Sequence, residues 1–330
     1  MSSSQDSTGA ARPASWFAST ETITYFLLTW SNLIALALLV LGAAILSPYF
    51  LEPRNIFNVL RGASIIGIVS VAMTFVILNR GIDLSVGSIV GAASVATASF
   101  APYGVGFAML AALVIATFIG LVNGLIITKL RIQPFIATLA SLIFVRGAVY
   151  LHTDGSNVIM RDVPEWFRVI GSGHLGPVPV PVLIFMAAWL GALYVLNNTR
   201  FGRHVYSVGA NEHASRLYGI NIDWVKIRVY ALSGLLCGIA GIILTSRLTV
   251  AEPNAGELFE LQAIAATLIG GTTFDGGVGG VGGTILGVLI LAVLANIMNL
   301  MDVSPYYQML LQGAIIVVAV VVSEARQRRQ

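Results

Sequence analysis

The sequence predicts an all-α, polytopic membrane protein with about ten transmembrane helices. Of its 330 residues, 57% are hydrophobic and only 10% are charged, whereas soluble domains carry about 25% charged residues. The mean hydropathy is +0.87, and the few charged residues leave long uncharged intervals between them. These observations exclude a soluble globular domain and a disordered chain. The net charge of +3 is therefore interpreted as a feature of membrane topology rather than of nucleic-acid binding.

The predicted spans are the uncharged intervals, because an ionised side chain at mid-bilayer costs at least about 2.5 kcal/mol. Long intervals cover residues 22–51, 62–79, 84–128, 169–199, 229–246, 276–301 and 303–323, and shorter ones cover 132–145 and 261–274. A helix needs about 20 residues to cross a bilayer. The interval 84–128 is therefore expected to hold two spans, joined at the Pro- and Gly-containing segment 101–104.

The basic residues predict the orientation of the spans. If the N-terminus is cytoplasmic, twelve of the 18 Lys and Arg residues fall on the cytoplasmic side, as the positive-inside rule requires. The expected organisation is a cytoplasmic tail over 1–22, one transmembrane domain over 23–323 and a cytoplasmic tail over 324–330. The first apolar run is full length and lacks a clear cleavage site, so it is expected to remain as a span.

Two polar loops are long enough to have a function. The outer loop, 152–177, is interpreted as an irregular lid or a docking surface. The inner loop, 197–228, contains a short predicted helix over 211–218, with Asn211 as N-cap, Glu212 in the first turn and Gly219 as the stop signal. Ala214 and Leu217 share one face of this helix. An attachment point for another protein and an ordinary loop helix explain it equally well.

Two glycine- and acid-containing segments interrupt the apolar pattern. The first, 79–88, contains Gly81, Asp83, Ser85 and Gly87, and the second covers 270–280. The residues singled out in the second segment are Gly271, Asp275 and Gly276. The glycines permit unwound backbone, and Asp83 and Ser85 could cap the helix that follows. Both segments follow an even-numbered span, so they share a side and predict a weak parallel repeat. They are either gating elements or tight turns between helices.

One cation and several missing motifs limit the possible chemistry. Arg146 lies within a predicted span, and it either reaches toward the outer interface or has an internal partner such as a carbonyl or a carboxylate. The sequence contains no GxxxxGK[ST] motif, so ATP hydrolysis of the P-loop type is excluded for this chain. Glycines 277, 279 and 282 match a dinucleotide fingerprint formally, but no strand precedes them. We find no catalytic residues, cofactor site or metal site in the sequence.

Four motifs resemble those of one transporter family. They are the run 73–88, which ends in GIDLSVGS; QPFIATL at 133–139; TRFG at 199–202; and VGANEHA at 208–214, followed by GIN at 219–221. Together they resemble the permease subunits of ribose, xylose and galactoside ABC importers, over about residues 45–323. The resemblance implies a multi-pass protein of the bacterial inner membrane that lies in the lipid bilayer with both termini cytoplasmic.

The same resemblance implies partners and a role for the inner loop. The expected partners are a cytoplasmic ATPase that carries ATP and Mg, a second permease subunit, identical or paralogous, and a periplasmic sugar-binding protein. By family position, the helix over 211–218, including Arg216, resembles the coupling helix that seats in the ATPase. The function implied is translocation of a monosaccharide, with the specificity mainly in the binding protein.

The expected sugar pathway is lined by amides, hydroxyls and aromatic rings, which suit sugar hydroxyls and ring faces. The candidates are Thr74, Phe75, Asn123, Phe135, Gln262 and Asn296, each of which helix packing also explains. The alternative function is a stand-alone secondary transporter driven by an ion gradient. Such a transporter needs a deep carboxylate, whereas Asp83, Asp275 and Asp302 are all expected at span ends.

Overall fold

The computed structural model describes residues 20–327, which form thirteen helices and four two-residue strands. The helices are α1 (Thr20–Leu46), α2 (Pro53–Leu78), α3 (Val86–Phe100), α4 (Val105–Lys129), α5 (Pro134–Thr153), α6 (Glu165–Ser172), α7 (Val180–Asn198), α8 (Arg200–Ala210), α9 (Glu212–Leu217), α10 (Ile222–Leu248), α11 (Phe259–Ile269), α12 (Val281–Leu300) and α13 (Pro305–Gln327). The strands are β1 (Val158–Ile159), β2 (His174–Leu175), β3 (Val178–Pro179) and β4 (Val250–Ala251). The cytoplasmic tail expected over 1–22 falls mainly on residues 1–19, which lie outside this range.

The all-α, multi-pass class is confirmed, but the count of ten spans is not. Among the described residues, seven helices are long and apolar enough to cross a membrane. They are α2, α3 with the following turn to Tyr103, α4, α5, α7, α10 and α12. The interval 84–128 does hold two helices, which separate at Gly104 with a φ of 113°. The predicted span 261–274 becomes α11, whose 11 residues extend only about 17 Å.

The helix ends lie on two opposite faces of the molecule. One, here called the α9 face, carries α8, α9, the end of α2 and the connection 270–280 between α11 and α12. The other, the α6 face, carries α6 and the end of α10, where the backbone N–H of Gly171 donates to Ser246 Oγ at 2.8 Å. On this face β1 pairs with β4 in antiparallel fashion. The loop 152–177 is thus anchored on α10.

The two longest buried helices, α2 and α10, are each followed by a segment that turns back into the interior. After α2 ends at the α9 face, the chain returns until Asp83 meets Ser233, the twelfth of the 27 residues of α10. After α10 ends at the α6 face, the chain returns until Ala255 meets Arg146, the thirteenth of the 20 residues of α5. The short helices α3 and α11 start from these interior positions, and Gly87 of α3 touches Gly256 before α11.

The repeat is inverted, and the expectation of a parallel repeat is wrong. In this repeat α2 corresponds to α10, α3 to α11 and α4 to α12. Helix α2 packs against α11 and α12 of the other half, and α10 packs against α3 and α4 in the same way. The two re-entrant segments, 79–85 and 249–258, enter from opposite faces, as in inverted-repeat transporters. The glycine-rich segment 270–280 is not the counterpart of the first break. It is the connection that brings the chain from α11 back into α12, and sequence pattern alone does not reveal this difference.

Candidate functional site

The first re-entrant segment is held by a buried polar network around Asp83. Asp83 is fully buried, and its Oδ1 accepts hydrogen bonds from the backbone N–H of Ser85 at 3.0 Å and from Ser85 Oγ at 2.5 Å. Its Oδ2 accepts from Ser233 Oγ of α10 at 3.0 Å. Asn123 of α4 donates to Ser85 Oγ at 2.8 Å. The network therefore ties the unwound segment to two long helices, which satisfies polar groups that have no water around them.

This arrangement corrects two expectations for Asp83 and Ser85. Ser85 is the N-cap residue of α3, but its side chain accepts no bond from that helix; its hydroxyl serves the Asp83 network instead. Asp83 does not lie at a span end, because the residue that it contacts is near the middle of α10. Asp83 is therefore a deep carboxylate, and the argument against a secondary transporter that relied on the lack of one does not hold.

Gly81 is required for space and not for a left-handed backbone. The residue with positive φ in this segment is Arg80, at 58°. A Cβ at Gly81 would lie 2.5 Å from the hydroxyl oxygen of Tyr230 and 3.0 Å from a methyl group of Val76. Distances this short force neighbouring atoms to move, so the close approach of α10 explains the glycine.

The second re-entrant segment is held by Arg146 of α5. Its Nη1 donates to the carbonyl oxygens of Pro253 at 2.7 Å and Ala255 at 2.8 Å. The sequence left open whether this arginine reaches outward or has an internal partner, and the structure shows the internal carbonyls. Glu260, in the first turn of α11, is close enough to interact with Arg146 electrostatically. A carboxylate there also suits the positive end of the α11 dipole.

The connection 270–280 contacts both the first re-entrant segment and α8. The N–H of Gly277 donates to the carbonyl oxygen of Leu78 at 2.9 Å, and Arg80 Nε donates to the carbonyl of Asp275 at 2.5 Å. The backbone at Gly271 and Gly276 has φ values of 92° and 72°, which favour glycine. The side chain of Asp275 is exposed, so its backbone makes the contact. The two segments that the sequence identified thus share a face and touch each other.

Tyr206 of α8 reaches the same connection. Its hydroxyl donates to the carbonyl oxygen of Gly279 at 2.9 Å. Partial burial raises the pKa of Tyr206 above its ordinary value, so the phenol stays protonated and able to donate at any physiological pH. Thr272 lies behind this contact, fully buried, and its Oγ1 accepts from the N–H of Gly280 at 3.2 Å.

A cavity of about 580 Å³ lies among α2, α10, α11, α12 and α13. Its volume falls within the range of small-molecule sites, about 300–1,000 Å³. The polar side chains on its wall are mostly amides. They are Asn58, Gln262, Asn296, Asn299, Gln308 and Gln312; Arg247 is the one charged residue in the described part of the lining. Among the described lining residues there is no carboxylate, and the remaining ones are apolar or glycine.

Two of the six pathway candidates line this cavity, and four do not. Gln262 and Asn296 face it, and Asn296 exchanges two hydrogen bonds with Asn55, at 2.8 and 3.0 Å. Three others are buried in the core, where each contacts another side chain. Thr74 Oγ1 lies 2.8 Å from Thr284 Oγ1, Phe75 stacks on Phe201, and Asn123 belongs to the Asp83 network. Phe135 is exposed at the start of α5, away from the cavity.

The short helix of the inner loop forms where the sequence predicted it. Asn211 Oδ1 accepts from the N–H of Ala214 at 2.9 Å, and the chain leaves the helix at Gly219 with a φ of 77°. Glu212 forms an ion pair with Lys226 at the start of α10. Leu217 and the adjoining Tyr218 are 77% and 88% exposed. Arg216 is also exposed, so α9 presents two large apolar side chains beside a cation.

Several residues of this site were not found from the sequence. Helix α8 was missed because residues 200–210 are too polar for a transmembrane span. The sequence therefore predicted only part of a polar loop there, although the residues form a regular helix. Ser233 was missed because one serine in an apolar run gives no signal. Glu260 stands at the edge of an uncharged interval, so the charge pattern predicts only a span boundary there. Only the packing of both α5 and α11 on α3 brings it within electrostatic range of Arg146.

Comparison with known proteins identifies the family. Residues 55–320 match the family model described as "Branched-chain amino acid transport system / permease component". The chain is 43% identical to the ribose import permease protein RbsC of Escherichia coli K12, over 92% of this chain and 97% of that protein. It is 42% identical to the protein of the same name in Bacillus subtilis 168, over 89% and 92%.

A xylose relative is more distant. The xylose transport system permease protein XylH of Escherichia coli K12 is 33% identical, with coverage of 85% of this chain and 87% of that protein. No solved structure matches the chain. The resemblance drawn from the four motifs is confirmed, and nothing in these comparisons favours a secondary transporter. The chain belongs to this family of transport-system permease components.

Proposed function

We propose that this chain is the membrane permease subunit of an ABC importer that translocates a monosaccharide, with ribose as the first candidate. The observation that carries the proposal is the amide-lined cavity in a chain 43% identical to a ribose import permease. Amide side chains both donate and accept hydrogen bonds, which matches sugar hydroxyl groups. The wall residues that the structure describes include no carboxylate, which suits a neutral solute, and Arg247 is the one charged side chain among them.

Energy for transport enters through a partner. This chain has no P-loop lysine, so ATP and Mg²⁺ bind to a separate ATPase, and α9 is the coupling helix that docks on it. Support comes from Leu217 and Tyr218, whose apolar side chains are exposed outside the predicted spans. The ion pair between Glu212 and Lys226 ties α9 to the membrane helix α10.

The topology follows from this assignment. The α9 face is cytoplasmic, with both termini on that side, and the α6 face is periplasmic in the bacterial inner membrane. A periplasmic sugar-binding protein docks on the α6 face, where Ile159 and Trp166 are exposed. A second permease subunit, either a copy of this chain or a paralogue, completes the membrane unit. Most of α5 is exposed, which supports it as a surface for lipid or for that second subunit.

The test is transport by the intact complex, purified from its own host through a tag on this chain. In proteoliposomes with the binding protein and ATP, we expect uptake of labelled ribose, competed by excess unlabelled ribose but not by leucine. Leucine is the informative competitor, because the family model is described by branched-chain amino acids. Uptake of leucine in place of any sugar, or ATP-independent uptake driven by a sodium or proton gradient, would refute the proposal.

The coupling role of α9 has its own test. We expect Ala214→Arg to abolish co-purification of the ATPase and the ATP hydrolysis that substrate stimulates. A bulky charge placed in a closed protein interface can cost more than about 2 kcal/mol. The matched control is Leu175→Arg, which adds the same charge at an exposed position on the opposite face. It is compared for co-purification of the ATPase alone, because the α6 face is the proposed docking surface of the binding protein. Retention of the ATPase by a normally inserted Ala214→Arg protein would mean that the energy enters elsewhere.

A further inference from the structure

The segment that precedes α9 makes contacts that the coupling role of α9 does not explain. Helix α8 ends at Ala210, and only Asn211 separates it from α9. Asn211 is bonded to both helices, because its side chain caps α9 while its backbone N–H donates to the carbonyl of Ser207 in α8. The two short helices therefore form one continuous bent element. A displacement of α9 must be carried into α8.

Helix α8 touches both connections of the α9 face. On one side, Asn79 of the first re-entrant segment donates to the carbonyl oxygen of Val205 at 3.3 Å. On the other, the Tyr206 hydroxyl donates to Gly279 in the connection 270–280. These two segments lie about half the chain apart in sequence. Through α8 they meet at one place.

Gly209 lies where all three segments meet. A Cβ at Gly209 would overlap the carbonyl oxygen of Leu78 and would lie 2.8 Å from the N of Gly277. These are the two atoms that form the hydrogen bond between the end of α2 and the connection 270–280. Backbone therefore packs on backbone here, without a flexible side chain that could absorb a displacement. The three segments are expected to move together.

Each connection leads to a different part of the interior. Beyond Leu78 the chain continues to Asp83 and the interior start of α3. Before Gly270 it forms α11, which carries Gln262 into the cavity wall. We propose that α8, through Gly209 and Tyr206, is the positioning element that transmits movement of α9 to both connections at once and so opens the cavity toward the α9 face. This inference rests on the proposed function, since it takes α9 as the site where the ATPase acts.

The experiment separates transmission from docking. The variants are Gly209→Ala and Tyr206→Phe, assayed in the tagged complex for ATPase co-purification, ATP hydrolysis and ribose uptake. The matched controls lie on α7. They are Gly191→Ala, where an added Cβ meets no atom within 4 Å, and Tyr194→Phe, whose side chain is 64% exposed.

We expect both α8 variants to retain the ATPase and to hydrolyse ATP, while the ribose moved per ATP falls. For Gly209→Ala the ribose moved per ATP should fall at least about tenfold, which corresponds to 1.36 kcal/mol added to the barrier for transport. The fall should be smaller for Tyr206→Phe. Both controls should keep the wild-type ratio. A Gly209→Ala complex that assembles and transports as wild type would overturn the inference.

Three further outcomes are also decisive. If Gly209→Ala fails to insert, Tyr206→Phe becomes the test, because it removes one hydrogen bond without adding an atom. An unchanged amount of ribose per ATP in that variant then overturns the inference. Loss of ATPase binding in Tyr206→Phe would also overturn it, since α8 would then be part of the docking surface. Failure of the wild-type complex to couple ATP to sugar uptake would contradict the proposed function itself, before any α8 variant is compared.

Discussion

Replacing Asp83 by alanine should destabilise the protein strongly, because three donors lose their acceptor in a water-free interior. These donors are the N–H and hydroxyl of Ser85 and the hydroxyl of Ser233. A buried donor without a partner costs about 1–3 kcal/mol. A serine hydroxyl in a helix can turn to a backbone carbonyl of the preceding turn, so we take Ser233 as rescued and count two lost bonds. The expected loss of stability is therefore about 2–6 kcal/mol.

Two further variants give this prediction its scale. Asp83→Asn keeps one side-chain oxygen as an acceptor for Ser85, so we expect a smaller loss, about 1–2 kcal/mol. Asp275→Ala serves as the control, since that carboxylate is exposed and surface changes usually stay within about 0.5 kcal/mol. The stability order should therefore be wild type and Asp275→Ala first, then Asp83→Asn, then Asp83→Ala.

The measurement is the apparent melting temperature of the purified chain in detergent. It is obtained from the loss of the monodisperse peak in size-exclusion chromatography after heating. At about 2 °C per kcal/mol for a large chain, Asp83→Ala should melt at least about 4 °C below wild type. Melting together with wild type would refute the network as a stabilising element. Equal melting of the alanine and asparagine variants would show that charge, rather than the number of accepted hydrogen bonds, decides the effect.

Three other predictions concern the topology, the close packing at Gly81 and the cavity wall at Gln262. The first tests the topology in a chain whose one cysteine is replaced by serine. Ile159→Cys should react with an impermeant maleimide in intact cells, from the periplasm, and Tyr218→Cys only in inverted vesicles, from the cytoplasm. The reverse pattern would overturn the assigned topology. Gly81→Leu should reduce folded yield in detergent, and Tyr230→Phe should restore part of it by removing the overlapping hydroxyl oxygen; no rescue would locate the strain elsewhere. Gln262→Leu should slow ribose uptake several-fold at unchanged ATPase binding, because one hydrogen bond to a hydroxyl is worth about 1 kcal/mol; unchanged uptake would remove α11 from the pathway.

Sequence patterns were sufficient where a local rule decided the structure. The turn at Gly104, the N-cap at Asn211 and the stop at Gly219 each depend on backbone conformations within a few residues. Uncharged intervals located most of the long helices, because the cost of a charge in a bilayer depends on one residue at a time. The family, likewise, was recognisable from four short motifs in fixed order.

The path of the chain through the membrane was not recoverable in the same way. The interval 261–274 is apolar enough for a span, yet the chain enters it from the interior, and α11 is too short to cross. Segment 249–258 gave no signal as a re-entrant element, because its fixing residue, Arg146, lies more than a hundred positions earlier. Only packing between distant helices decides where such a segment lies.

By itself the sequence determined that this is a helical membrane permease. It also determined that a short helix with Asn211 as its N-cap lies in the inner polar loop. It also determined that glycine and carboxylate residues interrupt the spans. The tertiary structure alone decided that Asp83 is buried against Ser233, that the repeat is inverted and that Gln262 faces a cavity while Thr74 does not. The reason is physical: capping and the avoidance of charge are local free-energy terms, whereas burial, hydrogen-bond partners and cavities arise from segments that meet only after the chain has folded.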